Sequence, residues 1–231
     1  MSFYRPTGRL DPAPADLAYG SLDLAARESQ AHRGESIVLY EDETILWRFA
    51  LPRAGWWRTA PRARLLTRPL SHSQINREES LKRPAWVRSR SWSRITSGVF
   101  LRVIGAVQYG TSKVFSKIVP HFDAQELRQY IHQVMATFQK TEKEVVMVVD
   151  RSGIHWAHKL DATLDHYHDK FRFHFLPAHC GHHLNPIEGF WRVMKDTIGA
   201  GRCFGDLPPL YKRTRQVLIA HQERPIYAFH W

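Results

Sequence analysis

The heptapeptide EVVMVVD, residues 144–150, limits the fold more tightly than any other part of this chain. Five apolar residues stand in a row from Val145 to Val149, four of them β-branched, with no polar residue between them. A strand with one face in water alternates apolar and polar side chains, and this one does not. Both of its faces must therefore be covered, which is the situation of a strand inside a sheet flanked by helices. The run closes on Asp150, so a carboxylate is expected at the carboxyl end of a buried strand, where ligands of open α/β sheets collect.

The neighbouring text supplies the covering layers. SIVLYEDETILWRF (36–49) and FRFHFLP (171–177) read as strands, and VFLRVIGAVQYGTSKVFSKIV (99–119) reads as two strands joined by a turn at YGTS. In FDAQELRQYIHQVMATFQK (122–140), Asp123 suits an N-cap, Glu126 the N3 position and Phe122 a staple onto Leu127. Leu127, Ile131, Val134 and Phe138 then form an apolar stripe. GIHWAHKLDATLDHYHD (153–169) is expected to be mostly helical, with His155 and His158 on a solvated face one turn apart. NPIEGFWRVMKDTI (185–198) begins with Asn185 as N-cap and Pro186 at N1, and its stripe is Ile187, Phe190, Trp191, Met194 and Ile198. Strands come first, and helices and strands then alternate, which predicts an α/β fold with a mixed central sheet flanked by helices. Residues 1–35 are set apart as an N-terminal extension holding at most a short helix at SLDLAARESQAH; residues 36–220 form the domain, and 221–231 a tail.

Charge narrows the class of partner. Lys and Arg number 33 against 22 Asp and Glu, a formal net charge of +11. Clustered cations favour an anionic polymer, because neutralising phosphates releases counterions. Residues 53–94 hold eleven of the cations against only Glu78 and Glu79, together with four tryptophans. Arg53, Arg58, Arg62, Arg64 and Arg68 are candidate phosphate contacts, and Trp56 and Trp57 can stack on exposed bases. The alternative is a core role for the tryptophans and a solvated face for the arginines. The N-terminus lacks the apolar core of a secretory signal, and the longest apolar run is too short to span a bilayer. Two cysteines without a CxxC spacing fit a reducing interior, so a cytoplasmic location is expected.

Three acids stand out by position: Asp42 on a strand, Asp150 at a strand end and Glu188 in the first turn of a helix. Converging carboxylates repel one another unless cations neutralise them. Mg²⁺ suits such a set, and two ions about 4 Å apart can activate a nucleophilic oxygen and stabilise a leaving one. Each acid also has a plain structural reading. Glu188 can complete a capping box or pair with Arg192, Asp150 can cap the next helix, and Asp42 lies between Glu41 and Glu43 and can be solvated. His179, Cys180, His182 and His183 raise the question of zinc, but neighbours in sequence rarely ligate one ion together, and a polar loop is the reading preferred.

LYEDETILW, VVDRSGIHWAHKL and FLPAHCGHHLNPIEGFWRVMKD, taken together and in this order, resemble the catalytic domain of DDE transposases. The likeness is to the bacterial insertion-sequence branch related to mariner and pogo elements, and LNPIE before an aromatic-rich helix is its most specific part. It implies an RNase H-like fold over roughly 36–220, with Asp42, Asp150 and Glu188 as catalytic and metal-binding triad and Glu43 outside it. It further implies two Mg²⁺ (or Mn²⁺) ions, cleavage at transposon ends and strand transfer into target DNA, in a cytoplasmic, nucleoid-associated protein. His182, His183 and Lys195 join the expected DNA contacts. Family members carry helix-turn-helix modules ahead of the catalytic domain, and 35 residues are too few for them. The resemblance therefore leads to the expectation of a homodimer or of a helix-turn-helix-containing partner. The alternative is a catalytically silent DNA-binding remnant that regulates a full-length transposase.

Overall fold

The computed structural model describes residues 13–48, 100–111, 113–199, 202–224 and 227–229. The basic segment, with Arg53, Trp56, Trp57, Arg58, Arg62, Arg64 and Arg68, lies outside the described residues.

Five strands form one mixed sheet: β1 (Ser36–Trp47), β2 (Phe100–Gln108), β3 (Val114–Val119), β4 (Glu144–Val149) and β5 (Phe171–Phe175). Their order across the sheet is β3-β2-β1-β4-β5. β1, β2 and β3 pair antiparallel, whereas β4 runs parallel to both β1 and β5. Gly110, with φ 71°, makes the turn between β2 and β3 in the left-handed region that a side chain disfavours.

The apolar run in β4 behaves as its pattern requires. Val146 and Val148 enter one core, and Val145, Met147 and Val149 enter another on the opposite face. The second core is covered by α2 (Ala124–Thr137), which buries Leu127, Tyr130, Ile131 and Val134. Asp123 caps α2 by accepting from the backbone N–H groups of Gln125 and Glu126. Glu126 does not stay with its own helix; its carboxylate takes the Lys117 ammonium of β3 at 2.9 Å.

The first core is covered by α1 (Pro14–His32), α5 (Ile187–Gly199) and α6 (Leu207–Glu223), with the short α3 (Asp161–His166) and α4 (Gly181–Leu184) lying between β4 and α5 in the chain. All five residues expected on the α5 stripe are buried. The segment after β4 departs from expectation. Residues 153–160 form two 3-10 turns, Gly153–Trp156 and His158–Leu160, before α3.

Elements near both ends of the described residues pack on the first core. Helix α1 extends over Pro14–His32 and buries Leu24 in the first core. Tyr40 of β1 donates a hydrogen bond to Glu28, and His174 of β5 lies 3.3 Å from Asp23. At the other end, His221 and Phe229 are buried, and their rings lie 4.6 and 6.2 Å from that of Phe190. Alanine-rich and short apolar stretches gave weak sequence signals here because few of their side chains face inward. Among the described residues no helix is long and apolar enough to cross a membrane.

Candidate active site

Period two along β1 sends successive side chains to opposite faces of the sheet. Asp42 stands directly opposite Gly105 of β2 in the antiparallel ladder. A Cβ on Gly105 would lie 2.5 Å from Cη2 of Trp191, so the indole of α5 rests on the bare backbone beside Asp42. This close approach seats the amino-terminal turn of α5, and Glu188 with it, on the Asp42 face. Asn185 fixes the start of that helix. It is buried, its Nδ2 donates to the Glu41 carbonyl at 2.7 Å, and its Oδ1 accepts from the Ile187 N–H at 3.3 Å.

Asp42, Asp150 and Glu188 line one cleft of about 650 Å³. Arg151, Ser152, His179, His182 and Asn185 line it too. Burial pushes the Asp42 carboxyl up to about 8, with the charges of Glu41, Glu188 and Glu43 adding to the effect. An acid in that condition is short of positive charge, and an all-oxygen set of three carboxylates suits a hard divalent cation. The residues present thus fit the metal that the sequence resemblance implies.

Glu41 and Glu43, read from sequence only as neighbours of Asp42, point the other way. The Glu41 side chain is fully buried, and its Oε2 lies 3.1 Å from Nε2 of His155. His155 is not on a solvated helix face but buried in the first 3-10 turn, and its Nδ1 lies 3.2 Å from Oδ1 of Asp150. That second contact is an ion-pair distance without the alignment of a good hydrogen bond. Burial disfavours the imidazolium, but the contacts with the Asp150 and Glu41 carboxylates outweigh it and raise His155 to about 10. The same contact with His155 holds Asp150 below the usual carboxylate range. Burial, and then the charge of Glu41, raise Glu43.

Among the described residues, Glu41, Glu43 and His155 form a group whose ligand atoms all lie within 4.8 Å of one another. Both ring nitrogens of His155 already face carboxylates, so this group reads as an ionic lock behind the cleft rather than as a ligand set. The signal that could have found it is the spacing itself: Glu41 must point away from Asp42, into the face that α2 covers.

The loop before α5 forms the lip of the cleft. His179 holds a φ of 62°, unusual for a residue with a side chain. Cys180 is buried while His183 is exposed, and among the described residues the four considered for zinc do not form a cluster with metal-ligand spacing. His182 reaches the cleft; His183 is not among its lining residues, although its ring lies 3.9 Å from that of His182. Lys195, two turns along α5 from Glu188, does not line the cleft either. Arg151 does, and it is a cation that the sequence reading overlooked. Its Nε donates to the Leu176 carbonyl at 3.3 Å.

A five-stranded mixed sheet in this order, covered by helices on both faces, is an RNase H-like fold. Comparison with solved structures agrees. The chain superposes on the Mos1 transposase paired-end complex with left transposon end with a TM-score of 0.55 at 16% identity, covering 95% of this chain and 60% of that one. A pre-cleavage Mos1 transpososome gives 0.55 at 15% identity, and a Mos1 mariner paired end complex with Mn gives 0.54 at 15%, with the same coverage. The chain thus spans about 60% of the length of these relatives. No curated protein matches it. The model of the DDE superfamily endonucleases matches residues 82–210, more than half of the sequence, and the chain belongs to that family. That match contains Asp150 and Glu188; Asp42 lies ahead of it.

Proposed function

We propose that this chain is the catalytic domain of a transposase, which cleaves DNA at the ends of a mobile element and joins them to a target. The observation that carries the reading is the convergence of Asp42, Asp150 and Glu188 on one cleft, from β1, the end of β4 and the first turn of α5. In this reading the three carboxylates hold two Mg²⁺ or Mn²⁺ ions. Bound there, the metal supplies Lewis acidity to the scissile phosphate and lowers the pKa of an attacking hydroxyl. The protein's own task is to hold the three acids around one cleft on rigid elements. Asn185 and the Trp191–Gly105 contact do this for Glu188, and the β1 ladder does it for Asp42.

The reaction is displacement at phosphorus. A water oxygen bonds to the phosphate as the 3′-oxygen leaves, and the freed 3′-hydroxyl then attacks a target phosphodiester in the same way. Arg151 and His182, at the cleft wall, contact the DNA backbone, and the cations of residues 53–94 add sequence-independent affinity.

Incubating the protein with end-containing duplex DNA and Mg²⁺ tests the proposal. Strand nicking is expected in the wild type and absent in Asp150→Ala, with DNA affinity equal in both. Equal affinity with no nicking by either protein would leave a DNA-binding remnant in place of an enzyme.

A further inference from the structure

The acid at the end of β4 stands in the weakest position of the three. Asp42 lies inside the central strand and Glu188 in a helix capped by a buried asparagine, but Asp150 follows the last residue of its strand. Its side chain is 48% exposed. A carboxylate so placed has several rotamers open to it, and a cation site needs one.

The structure provides a restraint from behind. Two contacts fall on the same oxygen, Oδ1: the Ser152 N–H at 2.8 Å and Nδ1 of His155 at 3.2 Å. Oδ2 takes neither. The imidazole in turn is fixed on its other side, where Nε2 meets Oε2 of Glu41 at 3.1 Å. Glu41 and His155 have side chains only 0% and 1% exposed, and the ring of Phe173 packs edge-on against the imidazole with centroids 5.8 Å apart. Glu41 is anchored by its place in β1, opposite Ala106 of β2, and its carbonyl accepts from Asn185. A continuous path thus runs from the middle of the sheet through a locked ring to one oxygen of Asp150.

We propose that His155 is a positioning residue, which Glu41 holds in place so that Asp150 presents Oδ2 to the cleft. The inference rests on the reading of Asp150 as a metal ligand, and it adds a residue that touches neither metal nor DNA. Outer-shell partners of this kind change metal affinity by about 10–100-fold when they are removed.

Isothermal titration with Mn²⁺ separates this role from a merely structural one, because the two amides mimic different ring nitrogens. In His155→Asn the amide nitrogen falls near the position of Nδ1 and can still meet Asp150. In His155→Gln it falls near Nε2 and reaches only Glu41. The expected result is a Mn²⁺ Kd about 10–100-fold weaker in His155→Gln, and a smaller loss in His155→Asn, which keeps the Asp150 contact but gives up the hold of Glu41. A folded His155→Gln with the wild-type Kd would overturn the proposal, and so would equal weakening in both variants. Should neither variant fold, the wild-type protein carries the test. The imidazole nitrogen resonances of His155 should move on Mg²⁺ addition with the Kd that calorimetry gives, and unmoved resonances would overturn it. Wild-type protein that binds no Mn²⁺ would defeat the functional reading and this inference together. Binding that is indifferent to position 155 would defeat the inference alone.

Discussion

Replacing Asp42 by Asn should stabilise the metal-free protein while removing its response to metal. Burial and the charges of Glu41, Glu188 and Glu43 raise the Asp42 carboxyl from 3.8 to about 8 in the folded chain. Between those two values the folded state holds a proton that the unfolded state has released, so stability falls as pH rises through this window. About four pKa units correspond to roughly 5–6 kcal/mol at the limit. Asp42 keeps some contact with the cleft water, and screening reduces the effect to about 2–3 kcal/mol. Urea unfolding followed by tryptophan fluorescence, in EDTA at pH 5, 7 and 9, reads this directly. Near pH 5 the two proteins should differ little; at pH 9 the Asn variant should be more stable by about 2–3 kcal/mol. Saturating Mg²⁺ should then raise the wild type and leave the variant unmoved, since ligand that binds only the folded state stabilises it by mass action. Parallel pH profiles for the two proteins in EDTA would refute the reasoning, because they would mean that Asp42 ionises without hindrance.

Three further outcomes test how the site is held. Gly105→Ala forces a methyl against the Trp191 ring, at 2.5 Å in the present geometry, and should cost about 1–3 kcal/mol by overpacking. Because the same contact seats α5, Mn²⁺ affinity measured by calorimetry should fall as well. Asn185→Ala removes the bond to the Glu41 carbonyl and the cap on Ile187, and a loss of about 1–3 kcal/mol in chemical denaturation is expected. Arg151→Gln should weaken DNA binding in a fluorescence-anisotropy titration and lower the slope of log K against log salt by about one, leaving Mn²⁺ affinity unchanged.

The sequence by itself determined the frame. Five apolar residues in a row at Val145–Val149 require a strand covered on both faces, and the structure divides them between two cores. The stripe from Ile187 to Ile198 requires a helix packed along its length, and every stripe residue is buried. These patterns are legible because hydrophobic burial is local in its periodicity: a strand repeats every two residues and a helix every 3.6. Asp42, Asp150 and Glu188 could be singled out for the same reason, since each marks a defined position on such an element.

What the pattern could not carry was distance between elements. Glu41 stands 114 residues before His155 in the chain, and the parallel pairing of β1 with β4 is what brings it to the His155–Asp150 pair. Spacing made His155 look like the solvated partner of His158, because a helix was expected where the chain instead makes a tight 3-10 turn. In the same way Trp191 was readable as a core residue, but not as one resting on the backbone of Gly105 next to Asp42. Helix α1 and Phe229 joined the first core for a tertiary reason too: α1 packs on the sheet beside β1, and Phe229 packs on Phe190 of α5 and His221 of α6, contacts that no local periodicity announces. Local patterns select elements by their own periodicity; a polar cluster or a close approach forms only after the sheet order has decided which strands are neighbours.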